Sequence, residues 1–199
     1  MKRTFAILVS IFLLGTATCE ASWLIFHKPE FRGKIVDIET HEPIEGAVVV
    51  AIYRKEEMSI ADSVDIDIDA REALTDRNGE FVIPSYTTLI NPLSWSIPVQ
   101  FIIFKPGYYC TGPIGLEEEF RGSREHKIEV AAGSSKGLKF RALGTGVLML
   151  MKVDGKDRFD SHFNAARVQS FLKKLPLSNA ILDQEVSIIR NIERQWRNK

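Results

Sequence analysis

The stretch that decides the fold is GKIVDIETHEPIEGAVVVAIYR, residues 33–54. Two apolar runs, Lys34 to Ile38 and Ala47 to Arg54, flank a polar segment that contains Pro43 and Gly46. Runs rich in Val and Ile that are separated by Pro and Gly predict two β-strands joined by a turn. Residues 75–81 then read TDRNGEF, a second turn in which Asn78-Gly79 suits the positive φ of a tight hairpin.

Short polar side chains stand beside both turns. Asp37 and Thr40 are predicted to bond the backbone of the first turn, and Asp76 that of the second, because such side chains reach amides two or three residues away. These residues are therefore expected to build the fold rather than a site.

Further strand-like runs follow along the chain, at 72–75, 80–83, 99–105, 126–131, 138–142 and 147–153. Seven or so short strands separated by turn residues predict a mainly β protein, an antiparallel β-sandwich. The segments between them, 55–70, 84–98 and 111–125, are interpreted as loops and as candidate contact surfaces, since rigid sandwiches often bind through loops.

The apolar spacing becomes helical after Asp157. Phe163, Arg167, Phe171 and Leu175 recur at intervals of four residues, and a second apolar face runs from Ile181 to Trp196. Residues 156–199 are therefore predicted to form a helical hairpin, with Pro176 ending the first helix. Its apolar stripe is expected to cover one face of the sandwich, the alternatives being a partner protein's helix or a membrane.

The N-terminal residues have the pattern of a secretory signal peptide, predicted over 1–21. Lys2 and Arg3 precede an apolar run from Phe5 to Leu14, and small residues follow it. GTATC favours lipidation of Cys19, which would tether the protein to a membrane surface. The alternatives are cleavage after Ala21, which would release a soluble periplasmic or secreted protein, and a retained signal anchor. Residues 22–32 are interpreted as a linker.

Composition argues against some function classes. The 199 residues include 26 basic and 26 acidic side chains, so no net field attracts nucleic acid. The only cysteines are Cys19 and Cys110, so no disulfide framework is expected once Cys19 is lipidated or removed. Cys110 is expected to be a buried core residue, because no histidine close in sequence would activate it as a nucleophile.

Three blocks carry a resemblance to a known family. They are GKIVDIETHEPIEGA (33–47), TDRNGEF (75–81) and FKPGY (104–108), in that order. The combination resembles the carboxypeptidase regulatory-like domain family. The resemblance implies a transthyretin-like Greek-key β-sandwich, here assigned to residues 33–155, and the accessory, non-catalytic role of such domains. The helical tail and the long segments 84–98 and 111–125 lie outside the family pattern.

Residues 62–69, DSVDIDID, form the strongest acidic cluster. Asp65, Asp67 and Asp69 would lie on one face of an extended segment, and calcium prefers several oxygen ligands at one point. The segment lacks the Gly and the final Glu of a calcium loop, so the preferred interpretation is a charged edge strand that discourages pairing with other chains. No metal or other cofactor is predicted.

Aromatic residues offer a second candidate site. Trp95, Tyr108 and Tyr109 are proposed to form a ligand platform, with Trp95 in a Pro-flanked loop. The sequence supplies no convergent acid, base and nucleophile, so we expect no catalytic residue and no enzymatic activity.

The predicted function is a non-catalytic binding or structural module of the bacterial cell envelope, anchored on the periplasmic side. The alternatives are an accessory subunit of an envelope hydrolase and a carrier of a small apolar ligand. The membrane and a protein partner, bound through the loops or the tail, are the expected contacts, and nucleic acid is not.

Overall fold

A computed structural model describes residues 24–59, 62–121, 130–134, 137–142, 145–153, 175–177, 180 and 183. The described chain is mainly β, with a short helix named α1 (Glu117–Phe120) and helical residues at 176–177, 180 and 183. Its strands are β1 (Ile25–Lys28), β2 (Phe31–Asp37), β3 (Val48–Met58), β4 (Ser63–Leu74), β5 (Glu80–Ile83), β6 (Tyr86–Leu89), β7 (Ser94–Ser96), β8 (Gln100–Phe104), β9 (Ile114–Gly115), β10 (Val130–Ser134), β11 (Gly137–Ala142) and β12 (Val147–Leu150).

The strands form two large sheets and one small one. The first sheet has the order β10-β11-β12-β2-β5, in which β12 and β2 are parallel and the other neighbours antiparallel. The second has the order β4-β3-β8-β9, and β7 pairs with the far part of β3. Strands β1 and β6 form a separate antiparallel pair. Inner side chains of both large sheets belong to one apolar core, which is the arrangement of a β-sandwich.

Strand β3 is buried on both of its faces. Val49, Ala51 and Tyr53 point into the core between the sheets, while Val48 and the residues that alternate with it point outward into a second apolar cluster. That outer cluster comprises Val48, Val50, Ile52, Ile102, Phe104, Cys110 and Leu175. A strand that is covered on both faces reads as a continuous apolar run, which explains VVVAIY in the sequence.

The start of the tail packs on this outer face. The Leu175 side chain is buried in the outer cluster, and the Leu177 amide donates to the Glu72 carboxylate at 2.7 Å. Pro176 begins a helical segment, a position that proline tolerates because the first amides of a helix lack partners. The helix that Pro176 was predicted to end lies outside the described residues. The Leu175 contact supports the prediction that the tail covers the sandwich, while most of 156–199 lies outside the described residues.

The two turns are built by the side chains that the sequence singled out. Asp37 Oδ1 accepts the amides of Glu39 and Thr40 at 2.8 and 3.0 Å. Asp76 Oδ1 accepts two amides of its own turn in the same way, at 2.8 and 2.9 Å. Gly79 has φ 74°, and a Cβ there would lie 2.4 Å from the Ile35 carbonyl oxygen, so glycine is required.

The Asp76–Gly79 turn is not a hairpin, which corrects the prediction. Strand β4 before it belongs to the second sheet and strand β5 after it to the first. The turn therefore carries the chain from one sheet to the other. Turn residues specify the local backbone path, but the partner of each strand depends on contacts distant in sequence.

Four segments interpreted as irregular contain regular structure, as follows. Within 22–32, β1 and the start of β2 are part of the sandwich, and Phe26 and Phe31 are fully buried, so the linker interpretation fails from Ile25 onward. Residues 55–70 are mostly the β3–β4 ribbon, 84–98 contain β6 and β7, and 111–125 contain β9 and α1.

Helix α1 places an aromatic ring between the sheets beside Gly33. The Phe120 ring meets those of Phe81 and Phe101 edge to face, with 5.0 Å between centroids in each pair. A Cβ at Gly33 would lie 2.6 Å from Phe120 and 2.8 Å from Phe81. Gly33 is therefore the position on β2 that leaves space for the ring.

We predict that Gly33→Ala destabilises the protein by about 1–3 kcal/mol, because the added methyl overpacks the Phe81–Phe120 contact. The measurement is urea unfolding followed by circular dichroism. Gly112→Ala is the matched control, since a Cβ there meets no atom within 4 Å, and it should change stability by less than about 0.5 kcal/mol. Equal stability of both variants would show that Phe120 does not occupy this space.

Candidate functional site

A charged cleft lies where strands β2 and β5 meet α1 and the start of β12. It encloses about 400 Å³, within the roughly 300–1,000 Å³ range of ligand pockets. Three basic and three acidic side chains line it, together with Phe81, Val82, Phe120, Val147 and the backbone at Gly33 and Gly146; the charged ones are Glu30, Arg32, Lys34, Glu80, Glu119 and Arg121.

Some of these charged side chains form hydrogen bonds or ion pairs within the protein. Glu119 is 7% exposed, and its Oε1 accepts the amides of Thr145 and Gly146 at 3.0 and 2.8 Å. The carboxylate thereby fixes the turn that precedes β12. Arg32 pairs with Glu30, and Arg121 lies 3.5 Å from a Glu118 oxygen.

Lys34 and Glu80 differ from the other charged groups of the cleft. They are direct partners in the β2–β5 register, and neither forms a salt bridge within the described part of the chain. Lys34 is half-buried and Glu80 is exposed. The cleft thus presents an ammonium and a carboxylate that a ligand of matching charges can contact.

A buried ion pair between Lys28 and Glu117 holds α1, which forms one wall of the cleft. The Lys28 ammonium lies 3.0 Å from both Glu117 oxygens, and these side chains are 10% and 9% exposed. Glu117 also accepts the Val99 amide at 2.7 Å. These contacts tie α1 to β1 and to the start of β8, which fixes the position of Phe120 and Arg121. Breaking such a pair leaves an uncompensated buried charge, so its role is structural.

A second cluster of titratable groups joins Asp37, Tyr108 and Lys152. Asp37 Oδ2 accepts the Tyr108 hydroxyl and lies near the Lys152 ammonium, at 3.2 Å in both cases. Burial by itself raises the pKa of Asp37, but the Thr40 and Glu39 amides, Lys152 and Tyr108 together lower it to about 2. Burial and the Asp37 carboxylate raise the pKa of Tyr108, and Asp37 raises that of Lys152.

These pKa shifts all lead away from neutrality. General acid–base catalysis favours groups that titrate near the working pH. The cluster instead keeps Asp37 ionised, Tyr108 protonated and Lys152 charged, which suits a permanent link between the end of β2 and the 105–108 turn. We therefore assign it to the fold.

The aspartates of the β3–β4 ribbon pair with arginine. Arg54 donates to Asp65 at 2.6 Å and to Asp67 at 3.2 Å. Strand β4 is an edge strand, as the preferred interpretation predicted.

A register shift corrects the expected common face of the three aspartates. Asp67 faces Arg54 and Asp69 faces Tyr53, which leaves Ile68 as an extra residue between them. Because neighbouring β3 residues point to opposite faces, Asp69 departs from the face of Asp65 and Asp67. Among the described residues, no group of three or more His, Cys, Asp and Glu side chains is arranged to hold a metal ion.

The aromatic candidates do not form one platform. Trp95 lies on β7 opposite Glu56, whose carboxylate accepts its indole N–H at 2.7 Å. Tyr108 lies near the other end of the sandwich beside Asp37, and Tyr109 packs partly buried against the core. Glu56 is eight residues from Val48 along β3, a separation of about 26 Å. Trp95 and the two tyrosines are therefore separate features.

The structure describes Cys110 but not Cys19. Cys110 is 1% exposed, so it has the buried position expected of it. Cys19 and the predicted signal peptide lie outside the described residues. In the part of the chain that the structure describes, no helix combines the length and apolarity that a membrane span requires.

Sequence reasoning missed the charged cleft. Its walls come from β2, β5, α1 and the 145–147 segment, which are far apart in the chain. The Glu117–Glu119 run lies within 111–125, which the sequence pattern predicts to be a loop. The available signal was the apolar Leu116 and Phe120 that bracket three acidic residues, which indicates a short buried helix.

Comparison of the chain with protein-family models, with curated proteins and with solved structures finds no match.

We predict that Asp37→Asn flattens the acid dependence of stability. The pKa of Asp37 is about 2 in the fold, against an ordinary 3.8. Ionised Asp37 therefore contributes stability that is fully present above the unfolded pKa and is lost as pH falls through about 2. The contribution is about 2 kcal/mol, and urea unfolding at a series of pH values measures it.

Asp76→Asn is the matched control for this experiment, because Asp76 also caps a turn but is exposed. The gap between wild type and Asp37→Asn should narrow by about 2 kcal/mol between neutral pH and the acid limit. If the stability of wild type and that of Asp37→Asn depended on pH in the same way, the assignment of the lowered pKa to Asp37 would be contradicted.

Proposed function

We propose that the protein is an exported, non-catalytic binding module of the bacterial cell envelope, tethered to the periplasmic side of a membrane through Cys19. The charged cleft is the observation that supports binding. It offers Lys34 and Glu80 side by side on neighbouring strands, in the lining of a concave surface that also includes two aromatic rings. The ligand class that fits is a small zwitterion or a peptide terminus, with its carboxylate at Lys34 and its ammonium at Glu80.

The family and the finer fold belong to the same proposal. The three sequence blocks support membership of the carboxypeptidase regulatory-like family, with a transthyretin-like Greek-key topology and a helical hairpin over 156–199. Asp37, Gly46, Asp76 and Gly79 support it, since each makes the turn contact or the positive φ that these blocks imply. Members of that family are accessory domains, which agrees with a binding role.

Two alternatives are less well supported. A carrier of a small apolar ligand needs an interior cavity along β8, but Phe101 there packs against the Phe31 and Phe120 rings at 5.1 and 5.0 Å. An accessory subunit of an envelope hydrolase would use the same cleft for a partner's peptide, so it remains a special case of the proposal.

The tether is tested by the intact mass of the chain expressed in a bacterial host. We expect the mass of residues 19–199 plus acyl groups, and loss of those groups in Cys19→Ala, because alanine has no thiol to which the lipid can be attached. The mass of an unmodified chain that begins at Ser22 would show a soluble secreted protein. An uncut chain would show a signal anchor.

The cleft is tested by titrating glycylglycine, a zwitterionic dipeptide, while amide NMR shifts are recorded. We expect saturable shifts at Gly33, Phe81 and Gly146. Lys34→Met should lower the affinity for glycylglycine about tenfold or more, since a charge-assisted hydrogen bond contributes roughly 1.5–3 kcal/mol.

Lys105→Met is the matched control because it removes the same charge outside the cleft. It should leave the affinity within about twofold, a change of less than about 0.5 kcal/mol. Equal loss in both variants would indicate a general charge effect, and an absence of saturable shifts in the wild type would refute the proposed ligand class.

A further inference from the structure

Exposed apolar side chains gather at one end of the sandwich. Of the ten large apolar side chains that are exposed among the described residues, seven lie at this end. The apolar end is defined by Ile25, Met58, Val64, Ile66, Leu89, Leu93 and Trp95. Leu89 is 77% exposed and Leu93 61%. Such a concentration on a monomer marks an interaction surface.

Hydrogen bonds and strand register show that these residues are neighbours. Ile25 and Leu89 face each other across the β1–β6 pair, and the Met58 amide donates to the Leu93 carbonyl at 3.0 Å. Val64 lies opposite Glu57, one residue before Met58. Asn91 donates its side-chain amide to Glu57, which joins the 89–95 segment to the tip of the ribbon. The apolar end thus extends from β1 to the tip of the β3–β4 ribbon, where Val64 and Ile66 lie on the opposite face of the ribbon from Met58 and Trp95.

The chain enters the fold at the same end. Leu24 accepts the Ile90 amide at 2.8 Å, directly beside the Ile25–Leu89 pair. Cys19 precedes Leu24 by five residues, and five residues span at most about 18 Å when fully extended. A lipid on Cys19 therefore holds this end of the sandwich, and not the opposite one, within about 18 Å of the bilayer.

We propose that the apolar end lies against the bilayer surface, with Leu89, Leu93, Met58 and Ile25 inserted among the lipid headgroups; this rests on the proposed tether at Cys19. Each apolar side chain leaves water there, and the tether supplies a high local concentration, so weak insertion suffices. Glu56 lies beside Trp95 and Asp62 beside Ser63, while Glu57 is paired with Lys55, so the acidic charges left at this end favour zwitterionic over anionic lipids.

The test uses the full acylated chain in vesicles of phosphatidylcholine and phosphatidylethanolamine. Spin labels are attached at Leu89→Cys, at Leu93→Cys and, as the matched control, at Arg77→Cys. Arg77 is highly exposed and lies beyond the far end of β4, which extends over twelve residues, about 36–40 Å, from the apolar end. Unsubstituted protein treated with the label gives the background from Cys110.

Collision of each label with oxygen and with a water-soluble nickel chelate reports its surroundings. We expect the labels at 89 and 93 to be at least about threefold more accessible to oxygen relative to nickel than the label at 77, because oxygen concentrates in lipid and the chelate is excluded. Both exposed positions tolerate substitution, so loss of folding does not obscure the result.

Three results would overturn the inference. Labels at 89 and 93 that collide with nickel as freely as the label at 77, on protein that floats with the vesicles, would refute the contact and leave the tether intact. Labels shielded from both reagents would show that protein covers this end. Protein that does not float with the vesicles would refute the tether and the inference together.

Discussion

Strand β3 is covered on both faces along its apolar half, and the other elements are arranged to supply that cover. Its inner face needs the opposite sheet, whose β2 contributes Phe31 and Ile35 to the shared core. Its outer face is packed by Cys110 and by Leu175 from the start of the tail. An uncovered β3 would expose a long apolar strand, so the tail contact is part of the fold and not an addition to it.

Local turn chemistry could be predicted from the sequence, and long-range pairing could not. Gly46 and Gly79 have the positive φ that their turns require, and Asp37 and Asp76 cap them. Those features depend on a few neighbouring residues. The position of the Asp76–Gly79 turn between two sheets depends on which strand each neighbour meets, and that depends on burial across the whole sandwich.

The candidate site was hidden for a related reason. Glu117 and Glu119 are buried, although three successive glutamates are typical of a solvated surface. Each is compensated by a distant group, Glu117 by Lys28 and Glu119 by the Thr145 and Gly146 amides. Composition and periodicity contain no information about a partner 89 residues away. The aspartates of β4 show a milder form of the problem, since one extra residue in the strand changes the face on which Asp69 lies.

Lys34 and Glu80 of the charged cleft lie away from the apolar end, nine residues along the chain from Ile25 and beyond the far end of β4. Strand β4 begins at the apolar end and leads to the Asp76–Gly79 turn, and Glu80 of the cleft follows that turn at once. A protein seated on lipid by its apolar end would therefore hold Lys34 and Glu80 toward the aqueous side. The arginine-paired aspartates of the ribbon fit the same arrangement, because charges along an edge strand discourage pairing with other chains at a crowded surface. The proposed tether, surface contact and ligand site are thus compatible within one small sandwich.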